Sequence, residues 1–226
     1  MTSTPDGAAF AELPELRQRF ELLFDHEPEL GQLSSAARRL LAVAATLFFE
    51  HGSAATSVRE LTKACGLSPG ALYNHFGSRD ELLFTLVRTG HVRAQRDLDA
   101  AIGAGPATPR ESLVRFVRAY TEIHLRFPPL SQLIHREYVH LSLDRKAEIV
   151  LRRRKMRDQL ISILRDGVAD GSFRLVGGQH AEVGSAMMVL DMCSRISEWF
   201  NPAQPSLSFS DRYAAAALRL VGAPED

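Results

Sequence analysis

Residues 56–82 read TSVRELTKACGLSPGALYNHFGSRDEL. Ser57 and Glu60 stand at capping-box spacing, which starts a short helix running to Cys65 and stopped by Gly66. Ser68 then caps a second helix, with Pro69 at its first position, where a missing N–H is tolerated, and Gly77 ends it. Ser78 and Glu81 open a third. Two short helices joined by a glycine-containing turn predict a helix-turn-helix. Val58, Leu61, Cys65, Leu67, Leu72 and Phe76 can share a small core, leaving Gly70, Ala71, Tyr73, Asn74 and His75 on the other side of the second helix. Small residues near its start would let that helix approach base edges. Tyr73 and His75 can hydrogen-bond phosphates, and Asn74 can meet either a base edge or a phosphate. The same spacing also suits a helical hairpin that never meets DNA.

Outward from this stretch, apolar residues recur at three and four rather than at two, which predicts an all-α chain. Leu13, Leu16, Phe20 and Leu23 mark a short amphipathic helix within an N-terminal extension, residues 1–33, whose first seven residues read as a loose tail. Leu40, Leu41, Ala44, Leu47 and Phe48 mark a helix that stops at His51-Gly52. The helix opened at Ser78 runs towards Leu98, and Gly103–Pro109 reads as a linker. The expected division is a DNA-binding domain at 34–99 and a helical domain at 105–226. In the second domain Thr108 and Glu111 cap a helix that ends at Phe127-Pro128. Others follow at about 130–141, 144–170, 179–200 and 210–221, the last two separated by Pro202–Pro205.

Composition narrows the function. Of 226 residues, 45% are hydrophobic and 24% charged, as in a packed globular protein. Lysines plus arginines number 27, as do aspartates plus glutamates. That zero is a sum of unlike parts. Residues 1–34 hold two basic and seven acidic residues, whereas 35–99 hold eight and six. Such a chain excludes bulk polyanion binding and allows DNA binding through a few placed contacts. Two distant cysteines are no disulfide framework. A polar, acidic N-terminus and the absence of a long apolar run predict a soluble cytoplasmic protein without a membrane partner. His135 and His140 flank Glu137, but a spacing of five does not put both histidines on one helix face, so no metal site is expected. Without a glycine-rich phosphate loop or nucleophile elbow, neither a cofactor nor enzymatic catalysis is expected.

LSPGALYNHFGSRDEL, preceded by TSVRELTKACG and by the apolar helix ending FFEHG, resembles the TetR family of bacterial transcription regulators over residues 34–94. The resemblance implies a homodimer that sets two recognition helices, here about Ser68–Phe76, in successive major grooves of a pseudo-palindromic, double-stranded operator. Arg59 matches a position that can read a guanine through O6 and N7. Ser57, Tyr73 and His75 match phosphate-facing positions, and Arg79 matches one where the family often carries a lysine.

The resemblance further implies that the C-terminal helical domain binds an effector and dimerises through its last two helices. Met187, Met188, Leu190 and Met192 on one, with Tyr213, Ala214, Ala217, Leu218 and Val221 on the other, suit that interface. They equally suit the core of their own subunit. Glu137, then Arg152-Arg153-Arg154, Gly171-Ser172-Phe173-Arg174 and Trp199-Phe200 are similar to a branch that controls fatty-acid or steroid degradation and responds to acyl-CoA thioesters. On that reading Arg152, Arg153 and Arg154 meet the CoA phosphates, while Met188, Met192 and Trp199 line the acyl pocket. A charge run is also an ordinary solvated helix face. The chain is thus expected to be a repressor released by a small hydrophobic effector, either an acyl-CoA or a hydrophobic drug. A helical small-molecule-binding protein that does not use DNA is the competing class.

Overall fold

The computed structural model describes residues 13–200 and 209–224; the expected tail at 1–7 and the Pro202–Pro205 segment lie outside the described residues. No strand occurs among those described. The helices are α1 (Leu13–Asp25), α2 (Ser35–His51), α3 (Val58–Ala64), α4 (Arg79–Ile102), α5 (Pro109–Arg126), α6 (Pro128–Glu137), α7 (Leu143–Ala169), α8 (Ala181–Trp199) and α9 (Phe209–Leu220). Single 3-10 turns lie at Pro28–Leu30, Pro69–Asn74 and Tyr138–His140. The all-α expectation holds.

Local chemistry explains the helix starts. Ser34 accepts the Ala37 N–H at 3.2 Å and caps α2. Ser57 with Glu60, and Thr108 with Glu111, form complete capping boxes at the heads of α3 and α5. The second helix of the predicted helix-turn-helix differs. It is a six-residue 3-10 turn, and Ser68 makes no side-chain capping bond to it. Ala71 N–H bonds Ser68 O and His75 N–H bonds Leu72 O, both at 2.9 Å and both three residues back. Gly70 is a poor helix former, and so short a piece cannot sustain a ladder of four-residue bonds.

Packing divides the chain into two compact units, and the division is not collinear with the sequence. One contains the residues up to Val92 together with Pro129–Val150; the other contains Arg93–Pro128 and Leu151 onward. Residues 129–150, which a linear division at 99–105 gives to the second part, therefore pack in the first unit.

In the first unit α2 is the central rod, buried from Leu40 through Thr46 and again at Phe48. Helix α1 lies on it through Leu16, Phe20 and Phe24, one turn apart; Leu23 is half-buried and Leu13 exposed. The acidic extension also makes specific ties. Asp25 pairs with Arg38 at 3.0 Å, Glu29 with Arg88 at 3.2 Å, and Arg17 donates to Ala64 O at the end of α3. Leu61, Leu72 and Phe76 close the core of the helix-turn-helix, while Val58, Cys65 and Leu67 are half-buried. Three such side chains contribute roughly 5–9 kcal/mol. Ordering the motif's backbone costs about 1–2 kcal/mol per residue over some twenty residues. The motif is therefore held by α2 and α4, not by itself.

In the second unit α5 is the hub. Helices α8 and α9 both pack on it, burying Leu113, Phe116 and Val117 with Ala186, Val189, Ala214, Ala217 and Val221. Met156, Leu160, Ile163 and Leu164 of α7 join this core, while Val168 is 42% exposed. Phe173, after α7, folds back so that its N–H bonds Gly167 O at 2.8 Å and its ring covers the glycine. A Cβ at Gly167 would overlap that ring. Gly167→Ala should therefore destabilise the protein by about 1–3 kcal/mol, although alanine is favoured by about 1 kcal/mol in an exposed helix. Urea unfolding monitored by circular dichroism checks this; a stabilised variant would show that the ring moves aside freely.

Candidate functional site

On a 3-10 turn, side chains three apart eclipse one another. Leu72 points into the core, which leaves Gly70 with Tyr73 on a second edge and Ala71 with Asn74 on a third. The exposures agree. Gly70, Tyr73 and Asn74 are exposed, Ala71 and His75 half-buried, and Tyr73 shows 57% of its surface. Nothing lies within 4 Å of where a Gly70 Cβ would stand, so a flat surface can come close there. Ser68 is exposed at the head of the turn, its hydroxyl uncommitted to capping. On α3, Arg59 is exposed, as is Lys63; Arg39 is exposed on α2. Lys63 and Arg39 carry no motif signal in the sequence and stand out only by their exposure.

Two predicted contacts are placed differently. Ser57 spends its donors inside the capping box: its N–H and its hydroxyl both donate to Glu60 Oε2 at 2.7 Å. A serine hydroxyl has one proton, so Ser57 has none to offer a phosphate while Glu60 holds it. Those bonds also hold the Glu60 carboxyl below its usual range. Arg79 turns inward. Its Nε donates to Thr56 O at 3.0 Å, its guanidinium carbon sits 5.6 Å from the Phe48 ring centre, and Nη2 is buried. It braces the segment before α3 rather than reaching outward as a phosphate-binding cation.

The run Arg152–Arg157 belongs to α7, where successive residues point about 100° apart. Arg152, Arg153 and Arg154 therefore leave the helix in three different directions. Arg154 and Lys155 are exposed; Lys155 pairs with Asp99 at 3.2 Å and Arg157 with Asp158 at 2.6 Å. Arg153 is half-buried, and its charge acts on Tyr120 and His124. Met192 is half-buried, whereas Met188 and Trp199 are each 52% exposed, together with Val183 and Met187 on the outer stripe of α8. Of the expected interface residues on α9 and just after it, Ala214, Ala217 and Val221 are covered by the chain's own core. His135 is half-buried and His140 exposed, while the Glu137 carboxylate between them is committed to Ser53 and Arg136.

A polar cluster inside the second unit escaped the sequence reading. Tyr120, Thr121 and His124 lie on the buried face of α5, and the Tyr120 and His124 rings meet edge-on at 4.6 Å. His124 Nδ1–H donates to Tyr120 O at 2.7 Å, since a carbonyl can only accept. Burial pushes the Tyr120 hydroxyl up to about 12 and lowers the His124 imidazole to about 4. Burial also raises the Cys193 thiol to about 11. The available signal was polar residues at core positions of an amphipathic helix, Tyr120 and His124 one turn apart.

Residues 40–86 match the family described as bacterial regulatory proteins, tetR family, and residues 106–221, just over half the chain, match the tetracyclin repressor-like C-terminal domain. The HTH-type transcriptional repressor KstR2 of Mycolicibacterium smegmatis is 32% identical over 150 residues, covering 64% of this chain and 70% of that protein. The structure of the ketosteroid transcriptional regulator KstR2 of Mycobacterium tuberculosis matches with a TM-score of 0.74 at 26% identity, covering 87% of this chain and 98% of that one. AibR, solved in complex with isovaleryl coenzyme A and operator DNA, shares the fold at 24% identity and a TM-score of 0.71, over 84% of this chain and 100% of that one. The fold and these matches define a helix-turn-helix, DNA-binding transcriptional regulator. The chain belongs to the TetR family. No helix among the described residues is long and apolar enough to cross a membrane.

The buried histidine sets a pH dependence. Its folded pKa lies below the unfolded 6.5, so its contribution is complete above pH 6.5 and is lost as pH falls towards 4. The loss across that window is about 3 kcal/mol. Unfolding free energies at pH 7, 5.5 and 4.5 should show a steeper acid loss for the parent than for His124→Gln; parallel curves would mean that the imidazole titrates normally.

Proposed function

We propose that the chain binds a pseudo-palindromic operator as a homodimer and lets it go when a small hydrophobic effector, an acyl-CoA thioester, binds its second unit. The observation that carries the DNA reading is the exposed set Arg59, Tyr73 and Asn74, mounted on a motif whose opposite side buries Leu61, Leu72 and Phe76. Arg59 is assigned to a guanine edge. Ser68 and Tyr73 are assigned to phosphates, Asn74 to a base or phosphate, and half-buried His75 to the rim, with Gly70 and Ala71 permitting close approach. The dimer is assigned to the outer face of α8, where Met187, Met188 and Trp199 stand exposed on the single chain among the charged Asp191, Arg195 and Glu198. Such a regulator works in the cytoplasm, beside the chromosome.

For the effector, support comes from the KstR2 relatives, one of them a ketosteroid transcriptional regulator, and from AibR, solved in complex with isovaleryl coenzyme A. Within the chain, Tyr120, His124 and Arg153 supply polar groups in an otherwise apolar core, the composition of a small-molecule site. Arg153 is the cation of the run best placed to serve it.

Operator affinity should depend on salt with a log–log slope of about −4, taking Arg39 and Lys63 of each subunit on phosphates, Arg59 on a base edge, and about −0.9 per phosphate neutralised. Arg59→Ala should lose about 1–3 kcal/mol on an operator enriched from random DNA and relax preference at one base pair per half-site. Parental affinity in that variant would remove Arg59 from the interface. Thermal shift with palmitoyl-CoA, palmitate, free CoA and a hydrophobic drug separates the effector classes, since only a matched ligand raises the midpoint substantially. A rise confined to the drug would replace the acyl-CoA reading.

A further inference from the structure

The connector 52–57 decides where α3 starts, and α3 carries Arg59. It leaves α2 at Gly52, whose φ of 82° favours glycine, and its Ser53 and Thr56 are 1% and 4% exposed. Local bonds steady it, from the Thr56 hydroxyl to Gly52 O at 2.9 Å and from the Thr56 N–H to Ser53 O at 3.3 Å. The other supports come from far along the chain. Glu137, at the end of α6 and 84 residues away, accepts the Ser53 N–H on Oε2 at 2.9 Å. Its side chain is 1% exposed, and its Oε1 accepts from Arg136 Nε at 2.7 Å. The Arg136 Nη2 donates to Phe48 O and Phe49 O, two of the last carbonyls of α2, and its guanidinium lies 6.0 Å from the Phe49 ring centre. Arg79, from α4, holds the other end of the connector at Thr56 O.

We infer that Arg136 and Glu137 are positioning residues for operator reading: they lock the end of α2 to the start of the connector, and so set the pose in which α3 and the following turn meet DNA. A helix end has unsatisfied carbonyls and a buried connector has unsatisfied amides; a single Arg-Glu pair satisfies both at once. A buried amide deprived of its carboxylate must find another partner, and the connector then has more than one pose. This inference rests on the reading that the helix-turn-helix binds an operator.

The test compares Glu137→Ala, Glu137→Gln, Arg136→Met and Arg59→Ala in the full-length chain. Each is titrated to active fraction and measured on the enriched operator and on a scrambled duplex. Loss of pose lowers specific binding and spares the phosphate contacts shared by any duplex. Glu137→Ala should bind the operator at least tenfold more weakly, with affinity for the scrambled duplex within twofold of the parent. Glu137→Gln should stay within threefold, because its amide oxygen still accepts the Ser53 N–H. Arg136→Met, at a half-exposed side chain, should lose three- to tenfold on the operator alone and carries the test if Glu137→Ala does not fold.

Parental operator affinity in Glu137→Ala or Arg136→Met overturns the inference. So does a parallel fall on both duplexes, or an equal loss in Glu137→Gln and Glu137→Ala. Parental binding by Arg59→Ala beside a weakened Glu137→Ala would remove the Arg59 assignment and leave the positioning pair standing.

Discussion

The carboxylate of Glu137, almost wholly removed from solvent, receives the Ser53 amide hydrogen on one oxygen and the Arg136 guanidinium on the other. Ionisation is maintained there because those bonds hold its pKa below the usual carboxylate range against the opposing effect of burial. Much of the DNA-binding unit depends on this contact. It joins the end of α6 to the end of α2 and to the segment that launches α3, so α6 packs with the helix-turn-helix although the sequence places it far downstream. The helix-turn-helix core consists of a few side chains, too little to order the motif alone. Its pose is borrowed from α2, α4 and α6.

Charge follows the same economy. The first unit holds many arginines, but Arg38, Arg88, Arg136 and Arg145 are paired with acids within the unit, two of those acids being supplied by the N-terminal extension. Arg79 is spent on Thr56 O and Phe48. The cations presented outward include Arg39, Arg59 and Lys63. A neutral total therefore describes a protein that uses most of its positive charge to hold itself together and little to attract nucleic acid, which favours placed contacts over bulk attraction.

Much of this was legible in the sequence wherever a bond is local. Ser57 with Glu60 and Thr108 with Glu111 form the capping boxes their spacing predicts, and the chain ends α2 at Gly52. Leu40, Leu41, Ala44 and Phe48 of α2 are buried where periodicity puts them, with Leu47 half-buried. Ser68 had the same local signal as Ser57 and caps nothing, because the turn after it is too short and too rich in poor helix formers to become an α-helix. For the candidate site, residue types were legible and roles only in part. Arg59, Tyr73 and Asn74 stand exposed as expected, whereas the Ser57 hydroxyl and the Arg79 guanidinium are turned to internal partners.

What the sequence determined by itself was the helical class, the order of its elements, the caps that start them and the motif that marks a DNA-binding regulator. These depend on residues three or four positions apart, within reach of a helical turn. Only the tertiary structure decided that 129–150 belong with the helix-turn-helix, that Gly167 makes room for Phe173, that Ala214 and Ala217 face their own subunit, and that a carboxylate 84 residues downstream holds Ser53. Each of these depends on which atom fills a space or satisfies a buried amide. No periodicity encodes that, because the partner is chosen by packing and not by distance along the chain.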